Sequence, residues 1–106
     1  MNIDLKYILN KTVELINIPS PVGYTHNAIE WVKNELKKLG IKNYNITKKG
    51  ALIAYIKGKD SSYKKMISAH VDPLVAVVKK IKKNGRLEVT NVGGFAWGSV
   101  EGENVT

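Results

Sequence analysis

The sequence predicts an α/β chain, in which the N-terminal part of a helix-flanked sheet domain is followed by the start of a second, β-rich unit. Three observations carry that prediction. Apolar residues recur at helical spacing in two stretches before residue 40, each closed by a proline or a glycine. Short apolar runs bounded by turn residues then follow as far as Asp72. From Pro73 onward the pattern changes to that of a hairpin and a glycine-rich connection, with no further helix.

The elements follow in order. Leu5, Ile8, Leu9, Val13 and Ile16 share one helical face, so Asp4 to Ile16 reads as an amphipathic helix with Asp4 near its cap. Pro19 and Pro21 end it, and Ser20-Pro21-Val22-Gly23 reads as a rigid loop. Thr25 is expected to cap a second helix that carries Ile29, Val32, Leu36 and Leu39 on one face. Lys37 and Lys38 suit its C-terminal dipole, and Gly40 supplies the left-handed stop.

Tyr44 to Thr47 reads as a short strand and Lys48-Lys49-Gly50 as a turn. Ala51 to Ile56 is apolar on both faces, as a central strand covered on both sides should be. Gly58 to Ser62 is a loop and Lys65 to Val71 another expected strand. Val75 to Ile81 and Arg86 to Val92 form a hairpin whose loop length is set by parity. A three-residue loop, Lys83-Asn84-Gly85, pairs Ile81 with Leu87 and Lys79 with Val89, and puts Gly85 at the left-handed bulge position. Gly93 to Gly98 is a tight connection, and Asn104-Val105-Thr106 reads as a strand just beginning.

Composition bounds the function. A chain of 106 residues allows one domain at most, and a domain of that size buries about 60–65% of its unfolded surface. Hydrophobic content of 43% is too high for a disordered tail. The absence of cysteine excludes disulfides, thiolate zinc sites and a thiol nucleophile. Apolar runs such as Ala51 to Ile56 are far too short to span a bilayer, and Met1-Asn2-Ile3-Asp4 lacks the order of a signal peptide. A cytoplasmic chain with no membrane partner is expected. The net charge of +8 raises a nucleic-acid reading, but Arg86 is the single arginine. Lysines scattered over helix ends and turns fit a solvated surface better than phosphate or base readout, so no specific nucleic-acid partner is expected.

The chemistry concentrates in His70-Val71-Asp72. On the expected strand His70 and Asp72 share a face with Ser68 and Met66, and they sit at its C-terminal end, where open α/β sheets place ligands. A metal-bound histidine commonly gives its second ring N–H to a carboxylate; the plainer alternative is a hydrogen-bonded histidine at a strand end. His26 has no acidic partner nearby in sequence and reads as surface. The glycines from Gly93 to Gly98 lack a phosphate-loop ending, leaving Phe95 and Trp97 as packing or interface residues. Glu101 and Glu103 imitate a carboxylate pair, but nothing places them near His70.

Several segments together resemble a known family. They are Ile18-Pro19-Ser20-Pro21-Val22-Gly23-Tyr24-Thr25, Lys49-Gly50-Ala51-Leu52, Ser68-Ala69-His70-Val71-Asp72, Gly85-Arg86-Leu87, and Gly93 through Trp97, in that order. With the closing Ser99 to Thr106, the chain resembles the N-terminal part of the dinuclear metallo-aminopeptidases. These include glutamyl and deblocking aminopeptidases and the tetrahedral peptidases, some labelled endoglucanase or cellulase. The resemblance implies that His70 is a ligand of a two-metal site, usually zinc or cobalt, and that the Asp72 carboxylate orients its ring without touching the metal. It implies peptide substrates, homo-oligomeric assembly, residues 1–72 as the start of a catalytic domain, and residues 73–106 as the truncated start of a dimerisation domain. Pro73-Leu74-Val75 departs from the Thr-Leu-Gly common there. The remaining ligands and the catalytic glutamate are expected beyond Thr106, so the chain alone is expected to be an inactive fragment. The alternatives are a non-enzymatic module that self-associates through a sheet edge, or the endoglucanase label, for which no opposed carboxylates can be placed.

Overall fold

Local sequence accounts for most of the elements in the computed structural model, which describes residues 3–60 and 62–105. Helix α1 spans Leu5–Ile16, and the Asp4 carboxylate caps it by accepting from the Tyr7 main-chain N–H at 2.9 Å. Helix α2 spans His26–Lys38. Thr25 precedes it as expected but donates and accepts no side-chain cap bond. Its ψ is near 0° rather than extended, which turns the hydroxyl away from the first-turn N–H groups. The other end is closed as the sequence requires. Gly40 has φ +78°, its N–H bonds the Lys37 carbonyl, and the Ile41 N–H bonds that of Leu36, which together make a Schellman stop.

The strands form two separate antiparallel hairpins. β1 (Tyr44–Ile46) pairs β2 (Leu52–Ala54), with Asn45 opposite Ile53. β3 (Val75–Ile81) pairs β4 (Leu87–Val92). A 3-10 turn over Trp97–Ser99 follows, with Phe95 and Trp97 edge to face at 5.2 Å. The three-residue loop is present: Ile81 faces Leu87, the Lys82 N–H bonds the Arg86 carbonyl at 2.8 Å, and Gly85 has φ +79°. The register beyond it differs by one residue. Val78, not Lys79, faces Val89, because the ladder shifts between Val78 and Lys80. An extra residue on one strand reverses parity beyond the bulge, which alternation along β3 alone does not reveal.

Three expected strand features are corrected. The Ala51 to Ile56 run forms a strand only over Leu52–Ala54, paired with β1 alone in a two-stranded sheet, so it is not a central strand. Lys65 to Val71 is irregular, with Met66 90% and Ile67 97% exposed. A strand is defined by its ladder, and no described segment pairs with this one. Asn104 and Val105 are likewise irregular; Thr106, Ser61 of the 58–62 loop, and Met1 and Asn2 of the N-terminal reading lie outside the described residues.

What these elements do not build is a core. Ala28 is the one fully buried apolar residue among those described, joined by the polar Ser20 and Glu35. Of the expected α2 face, Ile29, Val32 and Leu36 are half-buried and Leu39, at the C-cap, is exposed, while Ala28 and Glu35 beside that stripe are buried. Glu35 meets Lys11 of α1 at 3.2 Å and Lys38 of its own helix. Lys11 also holds Glu14 at 2.7 Å and lies 5.7 Å from the centre of the Trp31 ring. The accessible surface of 9782 Å² compares with about 5,900 Å² for a folded monomer of this mass. The radius of gyration of 18.2 Å compares with about 13 Å for a compact domain of this length. Helices and sheets are mixed as the α/β expectation has it, but their apolar faces lie open. Among the described residues, no helix is long and apolar enough to cross a membrane.

Candidate metal-ligand site

The segment ending at Asp72 takes its shape from three prolines. Pro73 restricts Asp72 to extended backbone, and in extended backbone residues two apart project to the same side. His70 and Asp72 therefore meet. The His70 Nδ1 lies 3.0 Å from the Asp72 main-chain oxygen and 3.3 Å from the Asp72 Oδ1. A carbonyl oxygen can only accept, so in the neutral ring Nδ1 carries the proton and Nε2 keeps its lone pair. The His70 side chain is 80% exposed and that of Asp72 36%, and Nε2 has no hydrogen-bond partner among the described residues. This is a ring oriented from behind with its other nitrogen presented outward.

The other two prolines act from a distance in sequence. Pro19 and Pro21 bracket Ser20, and the Tyr24 N–H closes a turn onto the Pro21 carbonyl at 2.7 Å, with Gly23 at φ +84°. Ser20 is 3% exposed, and its hydroxyl donates to the Val71 carbonyl at 2.7 Å. The loop between the helices thus grips the residue that separates His70 from Asp72. The local sequence marks Ser20 only as a small hydroxyl residue between two prolines and does not indicate the carbonyl it bonds.

The donor set fits one position of a metal site. An imidazole with Nδ1–H held by oxygen and Nε2 available is the form in which histidine ligates. Zinc takes at least three protein ligands, and among the described residues no group of three or more His, Asp or Glu side chains converges. Glu101 and Glu103 lie exposed near the C-terminal end and do not join His70. His26 stacks edge to face on Tyr24 at 4.5 Å and, with Glu30 and Lys49, lines a shallow open cleft.

Sequence reasoning missed the Lys11–Glu35 tie, whose signal was an acidic residue on the inward side of α2. Bonding to Lys38, reinforced by Lys11, holds the Glu35 carboxyl below the ordinary range. The bond to Glu14, with help from Glu35, raises Lys11 above the ordinary amine range. Asp60 is also held low, by the hydroxyl and main-chain N–H of Ser62.

Comparison with known proteins covers the same region. Residues 50–106, which include His70 and Asp72, match the family model described as M42 glutamyl aminopeptidase. The chain is 44% identical over 90 residues to YhfE of Bacillus subtilis (strain 168), a candidate aminopeptidase by its name; the match covers 85% of this chain and 26% of YhfE. It is 35% identical over 81 residues to the lysyl aminopeptidase of Pyrococcus furiosus, covering 76% of this chain and 23% of that protein. The chain spans about a quarter of the length of these curated relatives.

Proposed function

We propose, for a chain that belongs to the M42 glutamyl aminopeptidase family, that it supplies the His70 arm of a metal-dependent aminopeptidase site and does not catalyse on its own. The observation that carries this reading is the orientation of His70: Nδ1 occupied by Asp72, Nε2 outward. His70 would be the metal ligand and Asp72 the residue that holds its tautomer and raises its basicity. A bound divalent metal, zinc or cobalt, would supply Lewis-acid polarisation of a peptide carbonyl and a more acidic water. The chain's own share of the work is to fix one ligand; the remaining ligands and the general base must come from elsewhere.

Peptides with a free N-terminus are the proposed substrates of the complete enzyme, in the cytoplasm, without a specific nucleic-acid or membrane partner. Self-association belongs to the same proposal. It is supported by exposed Val77, Val78, Ile81 and Leu87 on the β3–β4 hairpin and by Trp97 beside it. A two-stranded sheet also leaves outer edges able to pair with another chain.

Zinc titration tests the ligand assignment. The purified chain should bind zinc weakly through the His70 ring, and His70→Ala should remove that binding while leaving the melting temperature almost unchanged. Tight, strongly stabilising binding would reveal a more complete ligand set than the one described; zinc binding that survives His70→Ala would refute the assignment.

A further inference from the structure

We infer that Ser20 is a positioning residue for the His70–Asp72 pair, an inference that rests on reading His70 as a metal ligand. Three observations meet at this residue. Ser20 is one of two buried polar residues among those described, at 3% exposure. Its hydroxyl donates at 2.7 Å to the carbonyl of Val71, a residue 51 positions away. Val71 is the residue between His70 and Asp72, so its carbonyl belongs to the peptide unit that leads into Asp72.

The geometry explains what the bond does. Among the described residues the His70 ring is set by contacts to Asp72 alone, at 3.0 Å to its main-chain oxygen and 3.3 Å to its carboxylate. Those contacts hold only while the peptide between the two residues keeps its orientation. The segment from 65 to 74 has no ladder with any described residue to keep it so, and a bond from a rigid loop takes the ladder's place. Pro19 and Pro21 remove the freedom that would let Ser20 follow a moving Val71 carbonyl. Pro73 limits Asp72 from the other side. Without the hydroxyl, the Val71 carbonyl is left unpaired, the peptide rotates toward water, and Nδ1 loses its two acceptors.

The test compares Ser20→Ala and Ser20→Thr with the unchanged full chain, by ¹⁵N-histidine and ¹³C-carbonyl NMR at a pH where the ring is neutral, followed by zinc titration. Glu35→Gln serves as a control, since it weakens the helix pair without touching the Val71 bond. The unchanged chain should show His70 predominantly protonated at Nδ1. Ser20→Ala should shift it to the mixture of a free imidazole, move the Val71 carbonyl resonance, and weaken zinc binding at Nε2 about tenfold. Ser20→Thr should restore all three, and Glu35→Gln should leave them in place. The inference is overturned if the unchanged chain already has the free-imidazole mixture, if Ser20→Ala leaves the tautomer as it was, or if Glu35→Gln matches its effect. Zinc that never perturbs Nε2 in the unchanged chain refutes the ligand reading instead, while the tautomer still decides whether Ser20 holds the ring.

Discussion

Helices α1 and α2 and the β3–β4 hairpin are equally regular along the backbone, yet they are held by different means. The hairpin satisfies its inner backbone groups over seven and six residues while leaving Val77, Val78, Ile81 and Leu87 exposed. The helices hold each other through side chains: buried Glu35 of α2 meets Lys11 reaching across from α1, and Ala28 of α2 has no exposure. The hairpin is therefore a local structure, specified by its turn, whereas the helix pair already depends on a tertiary contact. The difference teaches that regular elements here form ahead of any shared core. An isolated two-stranded hairpin is marginal in water, and here both faces are open, so cover from another surface matters most for residues 75–92.

The contrast yields predictions of decreasing size. The largest is Ala28→Asp, which puts an unpaired carboxylate at the one fully buried apolar position among the described residues and should cost about 3–5 kcal/mol. Helical circular dichroism should fall while hairpin amides keep their protection; equal loss in both regions would show that they fold as one unit. Next comes Gly85→Val, which forces a β-branched residue to φ +79° at a cost of about 1–2 kcal/mol. It should speed exchange of the Lys82 amide, bonded across the loop to Arg86, and leave α1 and α2 unchanged.

The smallest effect is pH dependence confined to the helix pair. Glu35 is held low, mainly by its bond to Lys38, so its contribution is present above the unfolded carboxylate value and lost as pH falls through the folded one. Lys11 is raised, mainly by its bond to Glu14, so its contribution is present below the unfolded amine value and lost as pH rises through the folded one. Helix pairing should be firmest between these limits, at about pH 5 to 10. The exposed Lys79 and Lys82 contacts to Glu88, at 3.9 and 3.8 Å, are of the kind that contribute little. A hairpin that weakens across the same window would break the comparison.

The parts legible in the sequence were those that local rules decide. The Asp4 cap, the Gly40 stop and the Lys83-Asn84-Gly85 loop each depend on residues a few positions apart, and each is in the structure. The strand expected over 65–71 has the right composition but no partner, and composition does not supply one. The bulge near Lys79 was hidden because two like residues, Lys79 and Lys80, follow Val78 and nothing in the pattern marks which of them is left out of the ladder. At the candidate site, the spacing of His70 and Asp72 announced their meeting, since one residue separates them. Ser20 stayed silent because its bond spans 51 positions, and a hydroxyl in a loop carries no mark of which carbonyl it will find.

The central proposal is that His70 is one oriented arm of an aminopeptidase site and that the chain does not catalyse on its own. Hydrolysis of aminoacyl nitroanilides by the purified chain, with zinc or cobalt added, measures it directly. The account predicts no turnover above background. Robust turnover that follows the pure chain and disappears in His70→Ala would contradict it.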